Sequence, residues 1–266
     1  MKTITAIYLD YSFLILLALS FALTLLFFKL LIPYFFNLQF LDKPNHRSSH
    51  INPTPLGGGL VIIPLIFFIS YFAGYNWSAY NVLVLLILFC ISLVDDFKNI
   101  KALYRLAVHF LCIFIYIHFS LLDIINFIKY ISDPYFAVLI YFVLILTLTG
   151  FINAFNFMDG IDGITSVQVI FLTCSLLFFN IFLDFGHNIL YYCLLGTTAG
   201  FLVYNWHPAK IFLGDSGSIP LGFLMLYSLI DFAIVGYWVA ALILPMYYLL
   251  DTSITLFYRV YKREKF

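Results

Sequence analysis

Residues 57–94 read GGGLVIIPLIFFISYFAGYNWSAYNVLVLLILFCISLV, without one Asp, Glu, Lys or Arg. A bilayer core takes roughly 17–25 residues of helix, so this stretch is long enough to cross twice. Gly74-Tyr75-Asn76-Trp77 supplies a turn and an interfacial aromatic between the two crossings. The same pattern continues on both sides. Apolar runs at about 11–32, 104–121, 135–152, 164–183, 188–205, 217–235 and 237–257 join 57–75 and 79–94, giving about nine candidate spans. Asp231 and Gly236 mark the shorter division between the last two.

Composition agrees. The 266 residues are 64% hydrophobic and only 10% charged, far from the soluble globular range and in that of an integral membrane protein. Net charge is zero, so no bulk electrostatic argument for a nucleic-acid partner applies. Cys90, Cys112, Cys174 and Cys193 lie singly in apolar runs without CxxC spacing, and read as small packing residues. The run Tyr11–Phe28 has no small-residue cleavage site before Lys29 and reads as a retained anchor. No soluble domain fits between the spans. The expectation is all-α: a polytopic transmembrane helix bundle forming one domain over 1–266.

Charge sets the orientation. With the N-terminus outside, loops 33–56, 95–103, 153–163 and 206–216 and the tail 258–266 are cytoplasmic. Ten of the 13 Lys and Arg residues lie in or beside them, Lys29 sits near the inner end of the first span, and Lys2 and Lys129 fall elsewhere. The positive-inside rule favours this arrangement, with the C-terminus cytoplasmic.

Five aspartates then reach one face. Asp95 and Asp96 end the third span, Asp159 and Asp162 follow the fifth in FINAFNFMDGIDGI (151–164), and Asp215 follows the seventh. Singly, each is equally well a solvated loop residue or a helix cap. Together, beside glycines and asparagines, they suit Mg2+, which binds through one or two carboxylates plus substrate phosphates. Asp10, Asp123, Asp133, Asp184 and Asp231 lie on the outer side in no pattern.

Complementary groups share that face. Arg47 and His50 in LDKPNHRSSHINPTPLGGGL are donors suited to phosphate, and Gly57-Gly58-Gly59 would let backbone approach a ligand closely. The plainer reading is a basic interfacial loop before a helix. Lys98, Lys101 and Arg105 would contact lipid headgroups or grip a substrate phosphate. In NWHPAKIFLGDSGS (205–218), amides at a helix start near Asp215 would favour an anion. Asp251 is either a functional intramembrane carboxylate or one snorkelling to the interface. His109, His118, His187 and His207 are isolated and read as packing or interfacial residues.

Four segments, DKPNHRSSHINPTPLGGG, VDDFKN, NAFNFMDGIDG and IFLGDSGS, occur in one order from Asp42 to Ser218. Together they resemble the polyprenyl-phosphate N-acetylaminosugar-1-phosphate transferases, the WecA/TagO/MraY-like family of bacterial membranes. The first segment resembles the WecA and O-antigen-initiating branch more than the peptidoglycan branch. The resemblance implies transfer of an N-acetylaminosugar-1-phosphate from a UDP-sugar to undecaprenyl phosphate with release of UMP and Mg2+ (or Mn2+) as cofactor. Such a reaction would begin a cell-surface polysaccharide such as O-antigen or capsule. The implied setting is a multi-pass protein of the bacterial inner membrane, with its active site on the cytoplasmic face and a homodimer compatible with the family.

The resemblance also implies roles. Asp215 would be the metal ligand. Asp95 or Asp96 would deprotonate the lipid phosphate or help hold metal, the assignment between them open. Asn156, Asp159 and Asp162 would line the nucleotide side, Asn205 would reach the uracil and Phe212 would stack on it. Arg47, His50 and Arg105 would face phosphates. The family is debated between single displacement and an aspartyl-phosphate intermediate, and single displacement is the expectation here.

There are departures. Leu56 stands where the family often has Arg before the triple glycine, and no Leu-Ser follows the aspartate pair. The sequence ends where relatives continue into a His/Arg-rich loop and two more helices, so the chain alone is expected to have low or no activity. Two other classes compete: an inactive membrane remnant, and a secondary transporter, whose carboxylates would sit at the bilayer midplane.

Overall fold

A computed structural model describes residues 11–38, 40–42, 44, 53–121, 133–183 and 186–262 of the protein. Helices dominate them: α1 (Tyr11–Asn37), α2 (Gly58–Phe72), α3 (Ala79–Lys98), α4 (Ala102–Ser120), α5 (Pro134–Met158), α6 (Ile164–Leu183), α7 (Asn188–Asn205), α8 (Asp215–Phe232), α9 (Trp238–Ile243) and α10 (Met246–Tyr261). Two short strands, β1 (Leu41–Asp42) and β2 (Thr54–Pro55), pair antiparallel between α1 and α2. The polytopic all-α membrane bundle holds. Among the described residues six helical stretches are long and apolar enough to cross a bilayer: α1, α3, α4, α5, α6 and Asp215–Ile243.

Helix ends follow local chemistry. The Asp133 carboxylate accepts the N–H groups of Tyr135 (2.9 Å) and Phe136 (3.1 Å), and Pro134 opens α5 where no N–H is needed. One of the outer acids is thus a helix cap. α3 closes on Asn99, in the left-handed region at φ 48°.

α8 is the central helix, with 14 of its 18 residues buried. A helix apolar on every side belongs inside a bundle. In lipid, apolar surface alone does not drive helices together, so small residues must let backbones close up. α1 and α7 do this through Ser20 and Thr24 against Gly196 and Gly200. A Cβ added at Gly196 would lie 2.5 Å from the Leu17 carbonyl oxygen. The Ser20 and Thr24 hydroxyls donate to carbonyls one turn back, at 2.8 and 2.7 Å.

Three boundaries differ from the sequence reading. α3 runs on to Lys98 and α5 to Met158, so Asp95, Asp96, Asn153 and Asn156 stand on final helical turns rather than in loops. The expected span 237–257 is not one helix. Within the π-helical segment Ala233–Tyr237 the chain turns at Gly236 (φ 112°), and α9 stops at Leu244-Pro245 before α10 begins. Proline lacks the N–H and crowds the preceding turn; α1, α2 and α8 accommodate one at Pro33, Pro64 and Pro220, whereas at Pro245 the helix breaks.

Candidate functional site

The C-terminal ends of α3, α5 and α7 meet the N-terminal ends of α2, α4, α6 and α8 at one end of the bundle. Between them lies a cleft of about 510 Å³, lined by Asp95, Asp96, Arg105, Asn156, Asp159, Asp162, Asn205, Phe212 and Asp215. Every described residue assigned to the site from sequence is therefore on one cavity wall. Arg47 and His50 lie outside the described residues.

Its centre is a charged bridge. Nη1 of Arg105, in the first turn of α4, donates to Oδ2 of Asp95 and Oδ2 of Asp215. The Ile100 N–H holds the other oxygen of buried Asp95 at 2.5 Å. Asn156 donates its amide to the other oxygen of Asp215 at 2.6 Å and also reaches Ser218 Oγ at 3.1 Å. Asp215 is thus gripped from α4 and α5 at once.

Asp96 does something else. Its two oxygens accept the N–H groups of Asp215 (2.8 Å) and Ser216 (3.0 Å), so a carboxylate of α3 caps α8. The anion expected at this helix start is Asp96 itself. Gly214 makes room: its φ is 73°, and a Cβ there would lie 2.8 Å from Asp96 Oδ2.

The triple glycine also serves the protein. A Cβ on Gly59 would fall 2.2 Å from the Gly217 nitrogen, and one on Gly58 2.7 Å from the Phe201 ring. These glycines bring α2 against α8, where the sequence reading had them admitting a ligand. The N–H groups of Gly58 and Gly59 donate to the Phe212 and Leu213 carbonyls at 2.9 and 2.8 Å, and the Phe212 N–H donates to the Pro55 carbonyl at 2.8 Å. These bonds fix the strip that carries Phe212 into the cleft.

The far wall is held by amide and carboxylate ties. Asn205 accepts the Gly163 N–H at 3.0 Å and donates to the Ile211 carbonyl at 2.9 Å. Asp162 accepts the Ala209 N–H at 3.0 Å and bonds His207 Nδ1 at 2.8 Å. Asp159 caps the end of α5. Burial pushes its carboxyl up to about 8; the Thr165 hydroxyl opposes this, and the charges of Asp215 and Asp96 add to it.

Among the described residues no group of three or more His, Cys, Asp or Glu side chains forms a ready metal cage. Lys98 and Lys101 are exposed outside the cleft, and Arg105 enters it. Asp251 is exposed on α10.

The histidines are less isolated than expected. His109 is buried and bonds Asn153 Oδ1 at 3.2 Å. At the other end of the bundle His187 meets Asp231 at 3.1 Å and Tyr75 Oη at 2.7 Å, and Tyr75 meets Tyr227 at 2.9 Å.

Sequence reasoning passed over Asp42 and Asn99, which line the cleft, and Ser218, which bonds Asn156. Asn99 and Ser218 lie inside quoted motifs, and an Asn just past a helix is a stop signal.

Comparison with known proteins adds to this geometry. The family described as glycosyl transferase family 4 matches residues 77–233. The chain is 30% identical over 228 residues to phospho-N-acetylmuramoyl-pentapeptide-transferase of Kosmotoga olearia, covering 79% of this chain and 68% of the relative. The enzyme of the same name from Streptococcus uberis is 26% identical over 280 residues, covering 92% and 81%. Decaprenyl-phosphate N-acetylglucosaminephosphotransferase of Mycobacterium tuberculosis is 28% identical over 208 residues, covering 68% and 51%. The chain spans between about half and four fifths of these relatives' lengths.

Proposed function

The chain belongs to glycosyl transferase family 4, the polyprenyl-phosphate aminosugar-1-phosphate transferases, and from that premise we propose the reaction of this cleft. An N-acetylaminosugar-1-phosphate passes from a UDP-sugar to undecaprenyl phosphate. An oxygen of the lipid phosphate attacks the β-phosphorus, the bond to the UMP oxygen breaks, and UMP leaves in a single displacement. The glycan begun this way is a cell-surface polysaccharide. The carboxylate face is cytoplasmic, a reading supported by the excess of Lys and Arg beside it.

One observation carries the proposal: Arg105 joins Asp95 and Asp215 at the centre of a cleft lined by all four quoted segments. Asp95 and Asp215 aim oxygens at a common point now taken by a guanidinium, so the donor set fits a cation. Mg2+ or Mn2+ would be held by Asp215 with Asp95 beside it. When bound, the ion neutralises charge on the diphosphate and the departing UMP. The absence of a protein-only cage among the described residues suits a metal that takes phosphates as its remaining ligands.

The chain's own groups do the rest. Arg105 turns its cation toward the developing phosphoryl charge, a preorganised donor in a low-dielectric setting. Asn156 fixes the Asp215 rotamer, and Asp96 fixes the backbone from which Asp215 projects. Asp96 is spent on capping α8 while Asp95 meets Arg105 beside Asp215, so Asp95 is the member of the pair placed with the reacting phosphates. Phe212 offers its ring to the uracil, and Asn205 and Asp162 hold the wall around it. Arg47 and His50 belong with the phosphates.

Membranes containing this protein, given undecaprenyl phosphate and a panel of labelled UDP-HexNAc sugars, test the reading. Label entering the lipid fraction with one UMP released per sugar is the expected result. Uptake of intact UDP-sugar without UMP release would overturn it in favour of transport.

A further inference from the structure

We propose that His109 and Asn153 are positioning residues for this reaction. The hydrogen bond between them holds α4 and α5 at the spacing from which Arg105 and Asn156 grip the one carboxylate of Asp215. The inference rests on the reading of the cleft above, in which Asp215 carries the chemistry.

The geometry is a closed ring. Arg105 donates to one oxygen of Asp215 and Asn156 to the other. Residues three or four apart share a helix face, so His109 stands one turn below Arg105 on α4, and Asn153 one turn below Asn156 on α5. There the two helices meet again, with His109 Nδ1 3.2 Å from Asn153 Oδ1. The rung at the cleft passes through Asp215, and the rung beneath it is direct.

That lower bond has one direction. Asn153 donates its amide to the Thr149 carbonyl at 2.8 Å, which leaves Oδ1 to accept. His109 therefore carries a proton on Nδ1 and donates it. Its Nε2 is buried with no hydrogen-bond partner among the described residues, and the residue is only 3% exposed. An unsatisfied buried nitrogen costs stability, and a phenylalanine of similar size would avoid that cost. Stability alone thus does not account for an imidazole here. Apolar packing in lipid lets helices slide a little, whereas a hydrogen bond weakens steeply with distance and angle. The upper rung is sensitive to such a slide, because Asn156 meets Asp215 at 2.6 Å while Arg105 must reach Asp95 as well.

The test uses the whole protein in detergent or nanodiscs. Binding of Mn2+ alone is measured by electron paramagnetic resonance, and UMP release is followed against undecaprenyl phosphate and UDP-N-acetylglucosamine. His109→Phe and Asn153→Leu should each lower kcat about tenfold or more, as misplacing a reacting group does. The nucleotide-sugar KM should stay within about twofold, since Asp162, Asn205 and Phe212 lie outside α4 and α5. The Mn2+ Kd should rise roughly three- to tenfold, the scale of one hydrogen bond, and the melting midpoint of His109→Phe should not fall. His109→Gln, whose amide can donate to Asn153, should keep kcat at least about threefold above His109→Phe. The double variant His109→Phe/Asn153→Leu should be no worse than the more severe single one, since both break one bond.

A kcat within about twofold of wild type in His109→Phe overturns the proposal. So do equal kcat values for His109→Gln and His109→Phe, which would make the ring's volume the cause. A parallel loss in kcat and both KM values with a lowered melting midpoint marks a packing role and overturns it too. If His109→Phe fails to fold, unaltered kcat in Asn153→Leu does the same. A wild-type protein that neither binds Mn2+ nor releases UMP overturns the transferase reading and this inference together. If wild type binds Mn2+ without turnover, unaltered Mn2+ affinity in the variants overturns the positioning role alone.

Discussion

Asp96 accepts the backbone N–H of Asp215 at 2.8 Å, so the helix that presents one site carboxylate is capped by another from a different helix. The two aspartates adjacent in sequence therefore do separate work. Asp95 faces Arg105 and Asp215, and Asp96 holds the start of α8. Asp96→Asn turns an amide toward one of two N–H groups. It should cost about 1–2 kcal/mol of stability, as loss of a cap with its helix-dipole charge does, and lower UMP release at least tenfold. Lost turnover at an unchanged melting midpoint would instead put Asp96 in contact with the reacting groups.

Asp215→Asn should lose nearly all transferase activity. The amide keeps the size but removes the charge that Arg105, and a bound cation, require in a low-dielectric site. Asp231→Asn is the comparison at the opposite end of the bundle, where the partner is His187. It should turn over at near wild-type rate with a lower melting midpoint. Comparable activity for both variants would remove Asp215 from the site.

Gly59→Ala should prevent stable folding. Its Cβ would stand 2.2 Å from the Gly217 nitrogen, so α2 and α8 must part, at a cost of more than about 3 kcal/mol. Gly150→Ala, in α5 with nothing within 4 Å of its Cβ, should be neutral or slightly stabilising. Expression and thermal unfolding in detergent separate the two. Normal folding of Gly59→Ala would show that the α2–α8 contact gives way.

The Asp159 carboxyl, pushed up to about 8 by burial, carries a signed pH dependence. In the unfolded chain an Asp titrates near about 3.9, so between these values the native state binds the extra proton. Its contribution to stability is present below about pH 4 and is lost as pH rises through about 8. Asp159→Asn removes that loss. The melting midpoint of the ligand-free variant minus that of wild type should therefore grow from about pH 5 to about pH 9. A flat difference across the range would mean that Asp159 titrates normally.

Labelling of single cysteines tests sidedness. In a background lacking Cys90, Cys112, Cys174 and Cys193, Ile161→Cys lies in the loop beside the cleft and Asn76→Cys in the α2–α3 turn. In intact cells an impermeant thiol reagent should label position 76 and not 161. The reverse pattern would invert the topology.

The spans were legible because a bilayer demands long apolar runs, and the site because carboxylates are costly near lipid and stand out against them. What escaped was set by tertiary contact. The division of the last span at Pro245 hid inside an apolar run, since proline is common in membrane helices. Gly57-Gly58-Gly59 looked like a ligand cradle, because a sequence does not say whose backbone approaches. His187 looked isolated because its partners Tyr75 and Asp231 lie far along the chain.

The bridge at Arg105 also orders the protein's birth. Its first partner, Asp95, is ten residues earlier in the chain, and its second, Asp215, is 110 residues later. At roughly 5–20 residues per second of synthesis, about ten seconds separate the emergence of the two. Through that interval Asp95 is the one of the two carboxylates already available to Arg105. A contact ten residues apart can thus form before the contact that spans 110, and α8 joins a pair already available to it.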